Sequence, residues 1–179
     1  SSLGLKSNFG LSEIEALYGF KAQIQLSSNW AVKEKTIVLH PLSHGSALEW
    51  PIGKYAELAA LLLEKGYRVA VSGTQKERDS MGASMPWSHP NLIDLGGKLS
   101  LGELLSYLNE AKAVVAASTG PLHMGAALGI GALGLYSPKR PIFPTRWAPI
   151  GPKAGYLVSE EHPENGQLPF SATLVLKSL

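Results

Sequence analysis

The chain has 179 residues and a mass of 19.1 kDa, enough for one α/β domain that buries roughly 70% of its unfolded-chain surface. Hydrophobic residues make up 45% and charged residues 17%, with a mean hydropathy of +0.05, which excludes a disordered chain, while no apolar run approaches the ~20 residues that cross a bilayer. Sixteen basic and fourteen acidic residues are scattered without a basic stripe, so nothing points to nucleic acid, and the absence of cysteine removes disulfides, thiolate metal sites and a cysteine nucleophile and suits a reducing compartment. The sequence opens at Ser1 without Met or a signal-peptide pattern, so the expectation is a portion of something longer.

Residues 1–35 read as a lead-in with one short helix, Leu11 to Phe20, in which Leu11, Ile14, Leu17 and Tyr18 share a face and Ser12 would cap with Glu15 three residues on. From Thr36 the pattern becomes regular. Ile37-Val38-Leu39 forms a buried strand ending at His40-Pro41. A helix follows, with Pro51 in its first turn, Ile52, Tyr55, Ala56, Ala59, Leu62 and Leu63 at a 3.6 period, and Gly66 as its stop. Tyr67 to Val71 is a second strand, leading into a polar helix from Thr74 to about Met81; Leu92 to Leu95 is a third. Behind Ser100, Leu101, Leu104, Leu105 and Leu108 mark another helix. Ala113 to Ala117 is the fourth strand, a helix starts near Thr119, and Ala132 to Tyr136 is the fifth strand. Beyond Ser137, Pro138, Pro141, Pro144, Pro149 and Pro152 predict an ordered irregular wrap, and a last apolar segment lies near Leu174 to Leu176. Strands alternating with helices through short connections give an α/β fold, a doubly wound parallel sheet, with ligands at the carboxyl ends of the strands.

Three loops at those ends carry the chemistry. In Ser118-Thr119-Gly120-Pro121-Leu122-His123, Ser118 or Thr119 caps the coming helix, Gly120 permits close backbone approach, and Pro121 fits the first turn. Free amides and the positive end of the helix dipole would bind phosphate there, with His123 as a further donor; a well-capped helix with a partly buried structural histidine is an equal reading. In the long loop from His40 to Pro51, Ser43, Gly45 and Ser46 offer hydroxyls and amides to an anion, although ordinary turn chemistry explains them somewhat better. After Gly73, Glu77 is placed either to accept from ribose hydroxyls or simply to complement a helix dipole.

Other chemistries fit less well. His40 and His44 are four apart, but Pro41 and Gly45 argue against a helix presenting both to a metal. The only aspartates, Asp79 and Asp94, form no pair to hold Mg²⁺ against a diphosphate, so no metal is expected. GxxxxGK[ST] and GxSxG are absent. Tryptophans 30, 50, 87 and 147 read as packing residues.

Together, the stretch from Ile37 to Glu77 (IVLHPLSHGSALEWP through GTQKE), that from Leu92 to Gly129 (ending ASTGPLHMGAALG) and that from Gly134 to Pro152 (GLYSPKRPIFPTRWAPIGP) resemble glycosyltransferase family 9, the bacterial lipopolysaccharide heptosyltransferases. The resemblance runs over roughly residues 36–152 in the family's order and spacing. It implies the GT-B arrangement of two Rossmann-like domains across a cleft, with residues 36–179 as the C-terminal, donor-binding one and the N-terminal acceptor domain outside this chain. It implies that Thr119, Gly120 and His123 hold the diphosphate and sugar side, that Glu77 meets the ribose, that Leu99 lies against adenine, and that Ser43 with its neighbours Gly45 and Ser46 completes the phosphate loop, with Gly73 and Ser118 as further donor-binding candidates. The implied reaction is inverting, metal-independent transfer from a nucleotide-diphosphate sugar such as ADP-heptose, without a further cofactor, to a lipopolysaccharide core or other glycan. A base in the missing domain would serve it, in the cytoplasm or at the inner face of the inner membrane, and this portion alone would bind donor but transfer little. Two positions depart from the family pattern: Ser118 replaces the aspartate of an Asp-Thr-Gly triplet, and Leu48 replaces a commonly basic phosphate contact. A non-catalytic nucleotide-binding module and another GT-B-like enzyme, such as a nucleotide-sugar epimerase, are the alternatives.

Overall fold

The computed structural model describes residues 9–21, 24–141, 143–160 and 166–179. Six strands, β1 (Thr36–His40), β2 (Arg68–Val71), β3 (Leu92–Asp94), β4 (Ala113–Ala117), β5 (Gly131–Tyr136) and β6 (Ala154–Val158), form one sheet in the order β3-β2-β1-β4-β5-β6. Every pairing is parallel. The helices are α1 (Leu11–Tyr18), α2 (Ile52–Glu64), α3 (Gln75–Met81), α4 (Leu101–Glu110), α5 (Gly120–Ala127), α6 (Pro144–Trp147) and α7 (Ala172–Lys177). The chain leaves β1 for β2 on one side and later returns to β4 on the other, so the sheet has its switch point between β1 and β4, where a doubly wound fold opens a crevice.

The alternation of side chains along the strands sorts the core into two layers. Ile37 and Leu39 of β1 join Val69, Val71 and Val115 beneath α2, where Tyr55, Leu58 and Leu62 are fully buried. Val38, Ala70, Val114 and Ala116 face the other way, against Tyr107 and Leu108 of α4 and Leu122 and Ala126 of α5. Burying each of the large aliphatic side chains contributes about 1.5–3 kcal/mol, and covering both faces is why these strands read as unbroken apolar runs. Trp50 belongs to this packing: it is fully buried, its Nε1 donates to the Phe170 carbonyl at 2.9 Å, and its ring meets Tyr55 edge-on with centroids 4.8 Å apart.

Two glycines set how closely the α5 layer approaches. A Cβ at Gly125 would lie 2.5 Å from Val114 Cγ1, and one at Gly151 would lie 2.3 Å from the Ala126 carbonyl oxygen. The proline-rich segment after β5 is thereby pressed against the carboxyl end of α5.

Some expectations are corrected. α1 starts behind Gly10, whose N–H donates to Glu13 Oε2 at 2.7 Å, and not behind Ser12. Its Leu11, Leu17 and Tyr18 are exposed. The segment expected to be an irregular wrap contains α6 and a sixth strand, and the last apolar segment is the helix α7, capped by Ser171. Among the described residues no helix is long and apolar enough to cross a membrane.

Candidate functional site

At the carboxyl ends of β1, β2, β3 and β4 the loops enclose a cleft of about 620 Å³, the size of a nucleotide-class ligand site. Each wall comes from a distinct local rule.

The α3 wall is built by a reciprocal cap. Thr74 Oγ1 accepts from the Glu77 N–H at 3.2 Å while Glu77 Oε2 accepts from the Thr74 N–H at 2.6 Å. Glu77 is only 5% exposed, and its other oxygen, Oε1, is 3.3 Å from His44 Nε2. One oxygen therefore holds the helix start, and the other faces the cleft.

The α4 wall is apolar. Ser100 caps α4, accepting from the Glu103 N–H, and Leu99, Leu101 and Leu104 line the cleft around it. Leu101 is 66% exposed, an apolar side chain on the cleft wall that the core leaves uncovered.

The α5 wall is the amino end of a helix whose first amides have no acceptor within the helix. Thr119 occupies the cap position in extended conformation (φ −131°, ψ 165°), yet its side chain makes no capping bond. Its Oγ1 is buried and has no hydrogen-bond partner. A Cβ on Gly120 would meet nothing within 4 Å, and Gly120 is not in the left-handed region. Neither backbone strain nor packing therefore requires glycine there.

The β1–α2 loop is closed upon itself. Ser43–His44–Gly45–Ser46 is a turn in which the Ser46 N–H donates to the Ser43 carbonyl at 3.0 Å, with positive φ at His44 (50°) and Gly45 (79°), the pattern of a type I′ turn. The Ser43 N–H donates to Glu49 Oε1 at 2.7 Å, and its hydroxyl lies 2.9 Å from the same oxygen. Ser46 Oγ donates to the Ser43 carbonyl. The donors of both serines are thus engaged within the loop, and an internal carboxylate already sits on Ser43. Leu48 packs against the α2-side core.

Of the residues singled out from sequence, the structure gathers Ser43, Ser46, Gly73, Glu77, Leu99, Thr119 and Gly120 around this cleft. Gly45, Ser118 and His123 are not among its lining residues. Ser118 hydrogen-bonds the Tyr136 side chain, whose hydroxyl also donates to the Trp147 carbonyl; burial raises the pKa of Tyr136 and the Ser118 bond opposes it. His123 is half-buried, and desolvation holds its imidazole below the ordinary histidine value. Sequence reasoning missed His40, His44, Leu101 and Leu104 as lining residues. His40 ends β1 with Nδ1 3.0 Å from Ser72 Oγ. Burial is the chief cause of its lowered pKa, with Glu77 opposing and His44 reinforcing the shift. Strand-end position alone could have flagged His40; the other three depend on how the loops fold. Among the described residues no three His, Asp or Glu side chains are grouped to hold a metal ion.

The family pattern of glycosyltransferase family 9 (heptosyltransferase) matches residues 5–168. The chain belongs to this family. Among glycosyltransferase family 9 relatives, lipooligosaccharide heptosyltransferase 2 of Haemophilus influenzae is 32% identical over 102 residues, which is 54% of this chain and 29% of that protein. Lipopolysaccharide heptosyltransferase 2 of Escherichia coli is 31% identical over 103 residues, 55% of this chain and 30% of that protein. The solved structure of the Escherichia coli ADP-heptose lipopolysaccharide heptosyltransferase II superposes with a TM-score of 0.68 at 25% identity, over 87% of this chain and 51% of that one. An Escherichia coli heptosyltransferase solved with ADP shares the fold, with a TM-score of 0.67 at 22% identity over 80% of this chain and 42% of that one. The chain thus spans about half, or less, of the length of these relatives.

Proposed function

We propose that this chain is the donor-binding half of a GT-B glycosyltransferase and holds a nucleotide-diphosphate sugar, ADP-heptose or a close relation, in the cleft. The observation that carries this reading is the amino end of α5, where a buried Thr119 hydroxyl without a partner stands beside the helix-terminal amides and a glycine that nothing structural requires, whose Cβ direction is open. Phosphate oxygens satisfy such a site: they accept from the amides and the hydroxyl, and the absence of a Cβ at Gly120 lets them approach. The adenine then lies against Leu99, Leu101 and Leu104, and Glu77 Oε1 accepts from ribose hydroxyls. The name of the 25% identical Escherichia coli structure supports ADP-heptose as the donor.

In the transfer step an acceptor hydroxyl, on a lipopolysaccharide core or similar glycan, attacks the anomeric carbon from the face opposite the diphosphate. The bond from that carbon to the phosphate oxygen breaks, the diphosphate leaves with the electron pair, and the acceptor proton passes to a base in the other half of the enzyme. Inversion follows from that geometry. The α5 amides stabilise the charge on the departing diphosphate. Among the described residues Glu77 is the one carboxylate lining the cleft and it already caps α3, so this half offers no carboxylate pair to bridge a divalent cation, which supports metal-independent transfer as the proposed reaction. The enzyme would work in the cytoplasm or at the inner face of the inner membrane, where such acceptors are built.

Calorimetric titration with ADP, UDP and GDP tests the reading: ADP binds best, with the same affinity in EDTA. Equal or absent binding of all three removes the adenine assignment, and loss in EDTA restored by Mg²⁺ removes the metal-independent step. A non-catalytic nucleotide-binding module is favoured by one observation, the β1–α2 loop with Leu48 packed against the core and Glu49 on Ser43. A protein carrying both halves that binds ADP-sugars and transfers none would select it.

A further inference from the structure

Among the described residues, this chain's side of the cleft is lined by neither lysine nor arginine, although a nucleotide-diphosphate sugar brings two negative charges. Resting on the proposed donor site, we infer that His44 is the conditional cation of the cleft: protonated, it bridges buried Glu77 and the donor diphosphate, so that donor binding takes up a proton.

The geometry places it there. The turn with positive φ at His44 and Gly45 projects the imidazole from the loop tip, so that Nε2 stands 3.3 Å from Glu77 Oε1 while the side chain stays 59% exposed. A ring with one nitrogen on a buried carboxylate and most of its surface in the cleft can give its second N–H to an incoming phosphate only when both nitrogens carry protons. With a neutral ring the Glu77 carboxylate keeps only the Thr74 amide and the α3 helix end as partners, and a diphosphate arriving beside it meets like charge.

The other titratable groups around the cleft do not supply this cation. His40, on β1, is held neutral at physiological pH by burial, as is His123 on α5. Glu49 is engaged by Ser43, Glu103 by Ser100, and Asp79 by the Gln75 side-chain amide at 2.7 Å. Arg78 of α3 and Lys98 before α4 are committed to Asp94 at 2.7 and 3.2 Å, and Lys76 of α3 is not among the cleft's lining residues. Proton and diphosphate binding are then reciprocal: each raises the affinity of the other by the same factor.

ADP-ribose is the suitable probe, because both its phosphates are esterified and keep constant charge across the range of interest. The expected affinity is about tenfold higher in mildly acidic than in mildly alkaline buffer, and calorimetry in buffers of different ionisation enthalpy shows a proton taken up on binding. His44→Gln binds weakly at every pH without that slope, whereas His44→Lys binds well at every pH without it; circular dichroism confirms the fold of each. A pH-independent affinity in the unmodified chain, or a slope that persists in His44→Gln, overturns the role of His44 and leaves the donor site standing. Failure of the unmodified chain to bind ADP-ribose at any pH overturns the donor site and this inference together.

Discussion

Replacing Thr119 by valine should make the protein more stable and a poorer binder. The Thr119 hydroxyl is buried without a partner, a state that costs about 1–3 kcal/mol relative to a satisfied or absent polar group. Valine keeps the β-branched shape, suits the extended backbone at this position (φ −131°, ψ 165°), and sacrifices no capping bond because none is made. The unliganded variant should therefore melt higher, by about 2–4 °C for each kcal/mol gained in a domain of this size. If the hydroxyl donates to a phosphate oxygen, the variant loses a charge-assisted bond of about 1.5–3 kcal/mol, or about 10- to 150-fold in affinity. At a ligand concentration of about 100 times the Kd, the parent protein gains about 2.7 kcal/mol from ADP, whereas a variant binding thirtyfold more weakly gains only about 0.9 kcal/mol. Calorimetric melting of both proteins with and without ADP reads all four states. A lower midpoint for the unliganded variant, or an undiminished shift with ADP, would show that the hydroxyl serves the fold and not a ligand.

Gly120→Val puts a side chain into space where nothing lies within 4 Å, so the fold should hold to within about 0.5 kcal/mol while ADP affinity drops at least about tenfold; unchanged titration would mean that no phosphate approaches there. His40 and His123 both have pKa values lowered by burial. The unfolded chain therefore takes up protons first as pH falls, stability is lost below the ordinary histidine range, and urea midpoints should drop between about pH 7 and about pH 5. A shallower drop in His40→Gln would assign part of it, and a flat profile in the parent would refute the argument. Asp94 is drawn upward by desolvation, but hydrogen bonds from Arg78, the Gly96 amide and Lys98 prevail and hold its pKa down. Asp94→Ala should cost about 1–3 kcal/mol at neutral pH, a deficit that denaturant melts show closing as acid protonates the parent carboxylate, and a deficit that stayed constant into acid would discount the ion pair.

The parts of this molecule that sequence made legible are those where one local rule decides. β4 is an apolar run covered on both faces, and α4 carries its cap, Ser100 with Glu103, in the residues themselves. β6 was illegible because it is an edge strand: Gly155, Tyr156 and Val158 are exposed, and only pairing with β5 makes the segment a strand. The start of α1 was misread because Ser12 with Glu15 and Gly10 with Glu13 share the same spacing, and spacing does not choose between them. The same limit applies to the cleft. Position after a strand identified Glu77, Thr119 and Gly120 as candidates, but the closure of Ser43 on Glu49 and the approach of His44 to Glu77 exist only once the turn has formed. Leu48 stands in the phosphate loop by the family resemblance, and only the fold shows it packed against the core.

The close seat of Gly151 on the Ala126 carbonyl fixes α5 at the end remote from the cleft, while Gly125 keeps the helix body tight on β4. Gly151 in turn accepts from the Ala154 N–H at 3.2 Å, where β6 joins the sheet. The helix is accordingly a strut clamped at its base, and its amides are aimed before any ligand arrives. Association then has no wandering loop to immobilise on that wall, so the entropy that would have gone into ordering it remains available as affinity. The His44 turn, closed by its own hydrogen bonds, brings a second preformed wall to the cleft.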